Sequence, residues 1–357
     1  MAAPIRVLVV DDSAFNRVSI GKMLEDIPEV EIVGYAADGE AGLRKVIDLK
    51  PDLVTLDLEM PRMGGFSMLR LIMQSQPTPV IVVSARSSEG DVFKALELGA
   101  IDFVAKPSRP ISSEFYSIRD DLQQKIRDFA RCGPKNFQLK QGKADWARSH
   151  ESKRPVRAEI QRQSLEAVVI GASTGGPPAL HQLFAGFSRP PDLSFAIAQH
   201  MPPGFTRSFA ERLNDHSVLK VKEAVTGDSM MPGHVYVCPG GMNMLLRRVN
   251  TEIRIQVIKP QEKQIYVPSV DALFNSAAIV YEAALLGIVM TGMGNDGAHG
   301  VRTIKDFGGQ VLAESEESCI VYGMPKEAVA TGCVERIVHL ADLRDEILRR
   351  CPDAADS

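Results

Sequence analysis

The first third of the chain alternates short runs of Val, Ile and Leu with segments whose apolar positions recur at helical spacing. Residues 5–10, 31–36, 53–56, 80–83 and 102–105 read as strands, and residues 13–24, 40–49, 68–74 and 90–98 as helices between them. Apolar runs without polar alternation predict burial on both faces, hence a parallel sheet covered by helices. A last helix carrying Phe115, Ile118, Leu122, Ile126 and Phe129, stopped by Gly133-Pro134, closes a doubly wound α/β domain over residues 4–125. The apolar pattern collapses from residue 132 to 164, and the linker is assigned to residues 126–164. Residues 132–164 hold eight Lys or Arg against three Asp or Glu, which reads as a solvated linker. Trp146 lies within it and is expected to pack against a flanking domain.

Apolar runs resume at 165–170, 194–199, 235–238, 252–258, 287–291, 309–313 and 334–340, with helical stretches at 179–184, 205–213, 270–281 and 300–307. Two successive strands with no helix between them, across residues 235–258, predict an antiparallel hairpin added to a second, mainly parallel, doubly wound domain over residues 165–350. A length of 357 residues accommodates two such domains. A formal net charge of −4 removes the global positive field that holds nucleic acid or anionic lipid. Cys132, Cys238, Cys319, Cys333 and Cys351 are scattered, without a C-x-x-C pair or a Cys/His ligand spacing, which argues against a disulfide framework or zinc site. No run reaches the ~18 apolar residues of a membrane span, and the apolar start is too short for a signal sequence. The expectation is a cytoplasmic protein with no membrane insertion.

In open α/β sheets functional groups collect at the carboxyl ends of strands. The first domain places Asp11 and Asp12, Asp57, Ser84 and Lys106 at four such ends. Three converging carboxylates repel one another unless a hard divalent cation lies between them, and magnesium is the natural candidate. With that charge neutralised, the Asp57 carboxylate can attack a phosphoryl group, with Lys106 and the Ser84 hydroxyl meeting its oxygens. The acidic pair, the D-x-x-M-P run from Asp57 to Pro61, Ser84 and Lys106-Pro107 together resemble the receiver domain of two-component response regulators. The resemblance implies a flavodoxin-like fold, Asp57 as phosphoacceptor, and Asp11, Asp12, Asp57 and the Glu59 backbone carbonyl as Mg2+ ligands. It also implies a chemotaxis-type histidine kinase as donor, Phe103 at the position of the aromatic switch residue, and a cis Lys106-Pro107 peptide.

In the second domain, Gly171-Ala172-Ser173-Thr174-Gly175-Gly176-Pro177 follows a buried strand and opens a helix. Such a turn suits anion binding, and equally a nucleophilic serine beside an oxyanion hole. It lacks the lysine of a P-loop and the full dinucleotide glycine pattern. A nucleophile needs a base and an orienting acid at the same sheet edge. His200 ends one strand, and Asp296 lies in the glycine-rich loop after another. His299 competes with His200 as base, but it shares Asp296's element instead of facing it.

The segments GASTGGP, QHMPPGFTRSFAERL, VPSVDALFNSA, TGMGNDGA and GMPKEA, in this order, resemble the catalytic domain of chemotaxis protein-glutamate methylesterases. The resemblance implies a Rossmann-like domain in a phosphorylation-activated serine hydrolase of chemotactic adaptation. Its substrates would be glutamate 5-methyl esters of methyl-accepting chemoreceptors, demethylated with release of methanol, and receptor glutamines, deamidated. Ser173 carries over as nucleophile, His200 as base and then acid, Asp296 as orienter, and the N–H groups of Thr174 and Met293 as oxyanion donors, with no cofactor in this domain. Asn243, where a histidine is expected, and Val267, where a basic residue is frequent, depart from the pattern. The alternatives are an esterase or amidase acting on another protein, and a response regulator without catalysis.

Overall fold

The computed structural model describes residues 3–85, 89–106, 118–132 and 164–351. Pro107, Phe115, Gly133-Pro134, Trp146 and most of the span read as a linker lie outside the described residues. The first sheet is built from β1 (Ile5–Val10), β2 (Val30–Ala36), β3 (Leu53–Leu56), β4 (Val80–Ala85) and β5 (Asp102–Lys106). Its order is β2-β1-β3-β4-β5, with all pairs parallel. That is the flavodoxin-like order, and its switch point lies between β1 and β3. Helices α1 (Ala14–Glu25), α2 (Gly39–Leu49), α3 (Gly65–Ser75), α4 (Glu89–Glu97) and α5 (Arg119–Cys132) cover the sheet. Side chains of Ser13 and Asp38 cap α1 and α2 by accepting the N–H groups of Asn16 and Ala41.

The second sheet contains β6 (Ala167–Ala172), β7 (Ser194–Gln199), β8 (Lys220–Glu223), β9 (His234–Val237), β12 (Leu285–Val289), β13 (Gln310–Glu314) and β14 (Arg336–Val338). Its order is β14-β13-β12-β6-β7-β9-β8, and its pairs are parallel. The helices here are α6 (Gly176–Ala185), α7 (Phe205–Asp215), α8 (Val270–Tyr281), α9 (Ala298–Asp306), α10 (Met324–Ala330) and α11 (Leu340–Leu348). The antiparallel hairpin exists, but its strands are β10 (Asn243–Val249) and β11 (Glu252–Ile258). The strand expected to open it, at 235–238, instead enters the parallel sheet as β9, between β7 and β8. The sequence His-Val-Tyr-Val puts three consecutive buried residues there, as an interior strand requires, whereas the second half of β10 is charged and exposed.

The chain lays β6 down first and then places β7 on one side of it and β12 on the other, so the carboxyl ends of β12, β6 and β7 border one crevice. Gly171 allows α8 to close on β6, because a Cβ there would fall 2.3 Å from Val270 Cγ1. The two domains meet at this crevice. Phe103 of β5 packs on Phe205 with ring centroids 4.7 Å apart, and Phe93 stacks on Phe209 at 5.9 Å. The Gly175 N–H donates to the Ile101 carbonyl at 3.1 Å, and the Thr174 hydroxyl donates to the Asp102 carboxylate.

Candidate functional site

At the carboxyl end of the first sheet, ligand oxygens of Asp11, Asp12 and Asp57 lie within 4.8 Å of one another. Lys106 Nζ donates to Asp11 Oδ2 at 2.7 Å and to Asp57 Oδ2 at 2.6 Å. Burial pushes Asp57 up to about 6; the nearby Lys106 opposes the rise and Asp11 adds to it. Burial alone would lower Lys106, but Asp11 and Asp57 outweigh it and hold the ammonium protonated. One lysine thus faces three carboxylates, an all-oxygen set with excess negative charge, which fits a hard divalent cation. Ser84 is fully buried at the end of β4. Phe103 is buried too, against Phe205, with Lys125 Nζ 5.8 Å from its ring centroid.

At the second sheet's crevice, Ser173 follows β6, His200 follows β7, and Asp296 lies in the loop after β12. Ser173, Thr174, His200 and Met293 line one cleft of about 340 Å³, together with Tyr266, Val267 and residues of helix α5 of the first domain. His200 Nε2 and Asp296 Oδ2 are 2.9 Å apart. Burial acts to raise Asp296, but the hydrogen bond and charge of His200, and the N–H groups of Asp271 and Val270, leave it below the ordinary carboxylate value. An ionised carboxylate only accepts hydrogen bonds. His200 Nε2 is therefore the donor in this bond, and Nδ1 is the ring nitrogen not engaged in it. His299 lies in the first turn of α9 and takes no part in this bond.

Asp296 is fixed by a helix start. Asp296 Oδ2 accepts the Val270 N–H at 2.7 Å, and Oδ1 accepts the Asp271 N–H at 2.9 Å and the Ser269 hydroxyl at 3.3 Å. Asp271 in turn accepts the N–H groups of Gly297 and Gly300, at 3.0 and 2.6 Å, at the start of α9. Each helix N-terminus receives the other segment's carboxylate, which the field at helix starts favours. The Ser-Val-Asp of VPSVD thus cradles the Asp296 carboxylate, which spacing alone does not reveal.

The turn that carries Ser173 is held from behind. The Ser173 N–H donates to the Thr291 carbonyl at 3.1 Å, and the Thr291 hydroxyl donates to the Thr174 carbonyl at 3.0 Å. The Thr291 N–H meets the fully buried Glu314 carboxylate at 2.8 Å. Gly175 takes φ +78 as the turn enters α6, which favours glycine. Asn243 is buried and does not line the cleft; its amide pairs with Gln264, at 2.9 and 3.2 Å, and accepts the Ser269 N–H at 2.9 Å. That departure therefore braces the 261–269 loop, while Val267 lines the cleft itself. Among the described residues a cis peptide joins Val267 to Pro268. No described helix is long and apolar enough to cross a membrane.

A receiver joined to a hydrolase whose polar groups converge at a sheet switch point is the class that this fold and site define. The CheB methylesterase family model matches residues 168–347, and the response regulator receiver domain model matches residues 7–112. The chain is similar to a Geobacter sulfurreducens protein named protein-glutamate methylesterase/protein-glutamine glutaminase, 50% identical with 97% of each chain covered. A Myxococcus xanthus protein of the same designation is 47% identical over 95% of each chain. The crystal structure of the Thermotoga maritima CheB methylesterase catalytic domain superposes with a TM-score of 0.50 at 36% identity, covering 52% of this chain and 98% of that one. The protein belongs to the CheB methylesterase family and carries a response regulator receiver domain.

Proposed function

We propose that the protein hydrolyses glutamate 5-methyl esters in chemoreceptors, releasing methanol, deamidates receptor glutamines, and is activated by phosphorylation of its receiver. The observation that carries this reading is the His200–Asp296 bond formed in the cleft that Ser173 lines. Nδ1 of His200 takes the Ser173 hydroxyl proton as Oγ attacks the ester carbonyl, and the Thr174 and Met293 N–H groups meet the developing oxyanion. One such donor typically contributes about 3–4 kcal/mol. The tetrahedral adduct collapses, His200 returns the proton to the leaving methoxide, and methanol departs. Water, deprotonated by His200, then attacks the acyl-enzyme and frees the glutamate carboxylate. With glutamine the leaving group is ammonia.

In the receiver, Asp11, Asp12, Asp57 and the Glu59 carbonyl would hold Mg2+, which neutralises charge around the incoming phosphoryl group. Asp57 attacks the phosphorus of a histidine kinase's phosphohistidine, and the histidine leaves. Lys106 and Ser84 meet the phosphoryl oxygens. Regulation is supported by the placement of α5 along the cleft and by the bonds from the nucleophile turn to Ile101 and Asp102. The unphosphorylated receiver obstructs the approach to Ser173, and phosphorylation shifts the population toward an open arrangement.

Methanol release from methylated receptor is expected to rise about 5- to 150-fold, the usual range of allosteric coupling, when a small-molecule phosphodonor and Mg2+ are added. Asp57→Asn is expected to remain at the unstimulated rate. Equal rates with and without the donor, or an Asp57→Asn variant that still responds, would refute phosphorylation control.

A further inference from the structure

Tyr266 touches both the imidazole and the loop that carries Asp296, without any role in the steps above. Its ring lies parallel to the His200 imidazole, with centroids 5.2 Å apart and planes 9° apart. Its hydroxyl is seated against Gly294, where a Cβ would fall 2.3 Å from that oxygen and φ is +86. Gly294 directly follows Met293 and lies two residues before Asp296. The Tyr266 carbonyl accepts Gln264 Nε2 at 2.9 Å, and Gln264 is paired with buried Asn243, so the backbone beneath the ring is anchored.

An imidazole held by one hydrogen bond at Nε2 can still turn about the Nε2–carboxylate axis, which changes where Nδ1 points. A second ring stacked parallel to it removes that freedom. We propose that Tyr266 is a positioning residue for His200. Its flat face keeps Nδ1 directed into the cleft and lies against the imidazolium once the Ser173 proton has been taken, a contact that favours the cation. The inference rests on His200 acting as the base. The departure at Asn243 supports it indirectly, since Asn243 and Gln264 together fix the loop that brings Tyr266 to the ring.

The test uses the full-length protein with phosphodonor and Mg2+, and measures kcat and KM for methanol release in Tyr266→Ala, Tyr266→Leu and Tyr266→Phe. Misplacing a catalytic group by about 1 Å can cost ~100-fold. The expected result is a kcat about 10- to 100-fold lower in Tyr266→Ala and Tyr266→Leu, a KM changed by less than about threefold, and a Tyr266→Phe kcat within about threefold of wild type. Leucine keeps part of the apolar bulk without a flat face, so it separates stacking from simple packing if the alanine variant unfolds. An unchanged kcat, a rise confined to KM, or a phenylalanine variant as impaired as leucine would overturn the proposal. Ser173→Ala run alongside distinguishes the two levels: if it retains full activity the catalytic reading has failed, and if it is inactive while Tyr266→Leu is normal only the positioning role has.

Discussion

Replacing Ser173 with alanine is expected to lower methanol release from methylated receptor by about 10^4-fold or more, with little change in thermal stability. The hydroxyl is the only part of the residue removed, and the turn around it is held by backbone bonds to Thr291 and by the Thr291 hydroxyl on Thr174, all of which alanine keeps. Only the nucleophile is lost. Any residual activity is expected from water attacking directly, with the proposed Thr174 and Met293 donors still in place. Retention of more than about a tenth of wild-type activity would mean that the acyl group never passes through this oxygen, since removing the nucleophile alone costs about as much as removing a whole triad.

Asp296→Asn is expected to cost about 10^3- to 10^4-fold in kcat, for a different reason. All four partners of the carboxylate are donors: His200 Nε2, the Val270 and Asp271 N–H groups and the Ser269 hydroxyl. An amide has one oxygen, so its NH2 must face donors on one side. Turned toward His200, it forces the imidazole to carry its proton on Nδ1, the nitrogen needed as base. Turned the other way, it opposes the Asp271 N–H. Stability should fall by about 1–3 kcal/mol, the cost of leaving a buried donor unpaired. Thermal unfolding and kcat measured on the same variant separate these effects, and a kcat loss no larger than the stability change explains would contradict the orienting role.

Much of this arrangement is legible in the residues alone. Ser173, His200 and Asp296 each directly follow or lie near the end of an apolar run, and β6, β7 and β12 prove to be adjacent. The same logic places Asp11, Asp12, Asp57 and Lys106 together. What escapes it lacks an apolar run. Strand β8, Lys-Val-Lys-Glu, is a four-residue sheet edge with charged alternate positions, and β10 turns from apolar to charged halfway along. With β10 unread, the hairpin is assigned to the wrong first strand. Tyr266 sits in a polar loop with no periodicity, and the only signal for it is its position two residues before the Pro-Ser-Val-Asp that cradles the acid. The contact between Thr174 and Asp102 joins residues 72 positions apart in different domains, and nothing local encodes it.

The most direct measurement is mass spectrometry of the protein acid-quenched during turnover of a peptide carrying a glutamate methyl ester. The expected result is an adduct on Ser173 equal to the substrate peptide less methanol, absent from Ser173→Ala. An adduct on another residue, with Ser173 unmodified while methanol accumulates, would contradict acyl transfer through this serine.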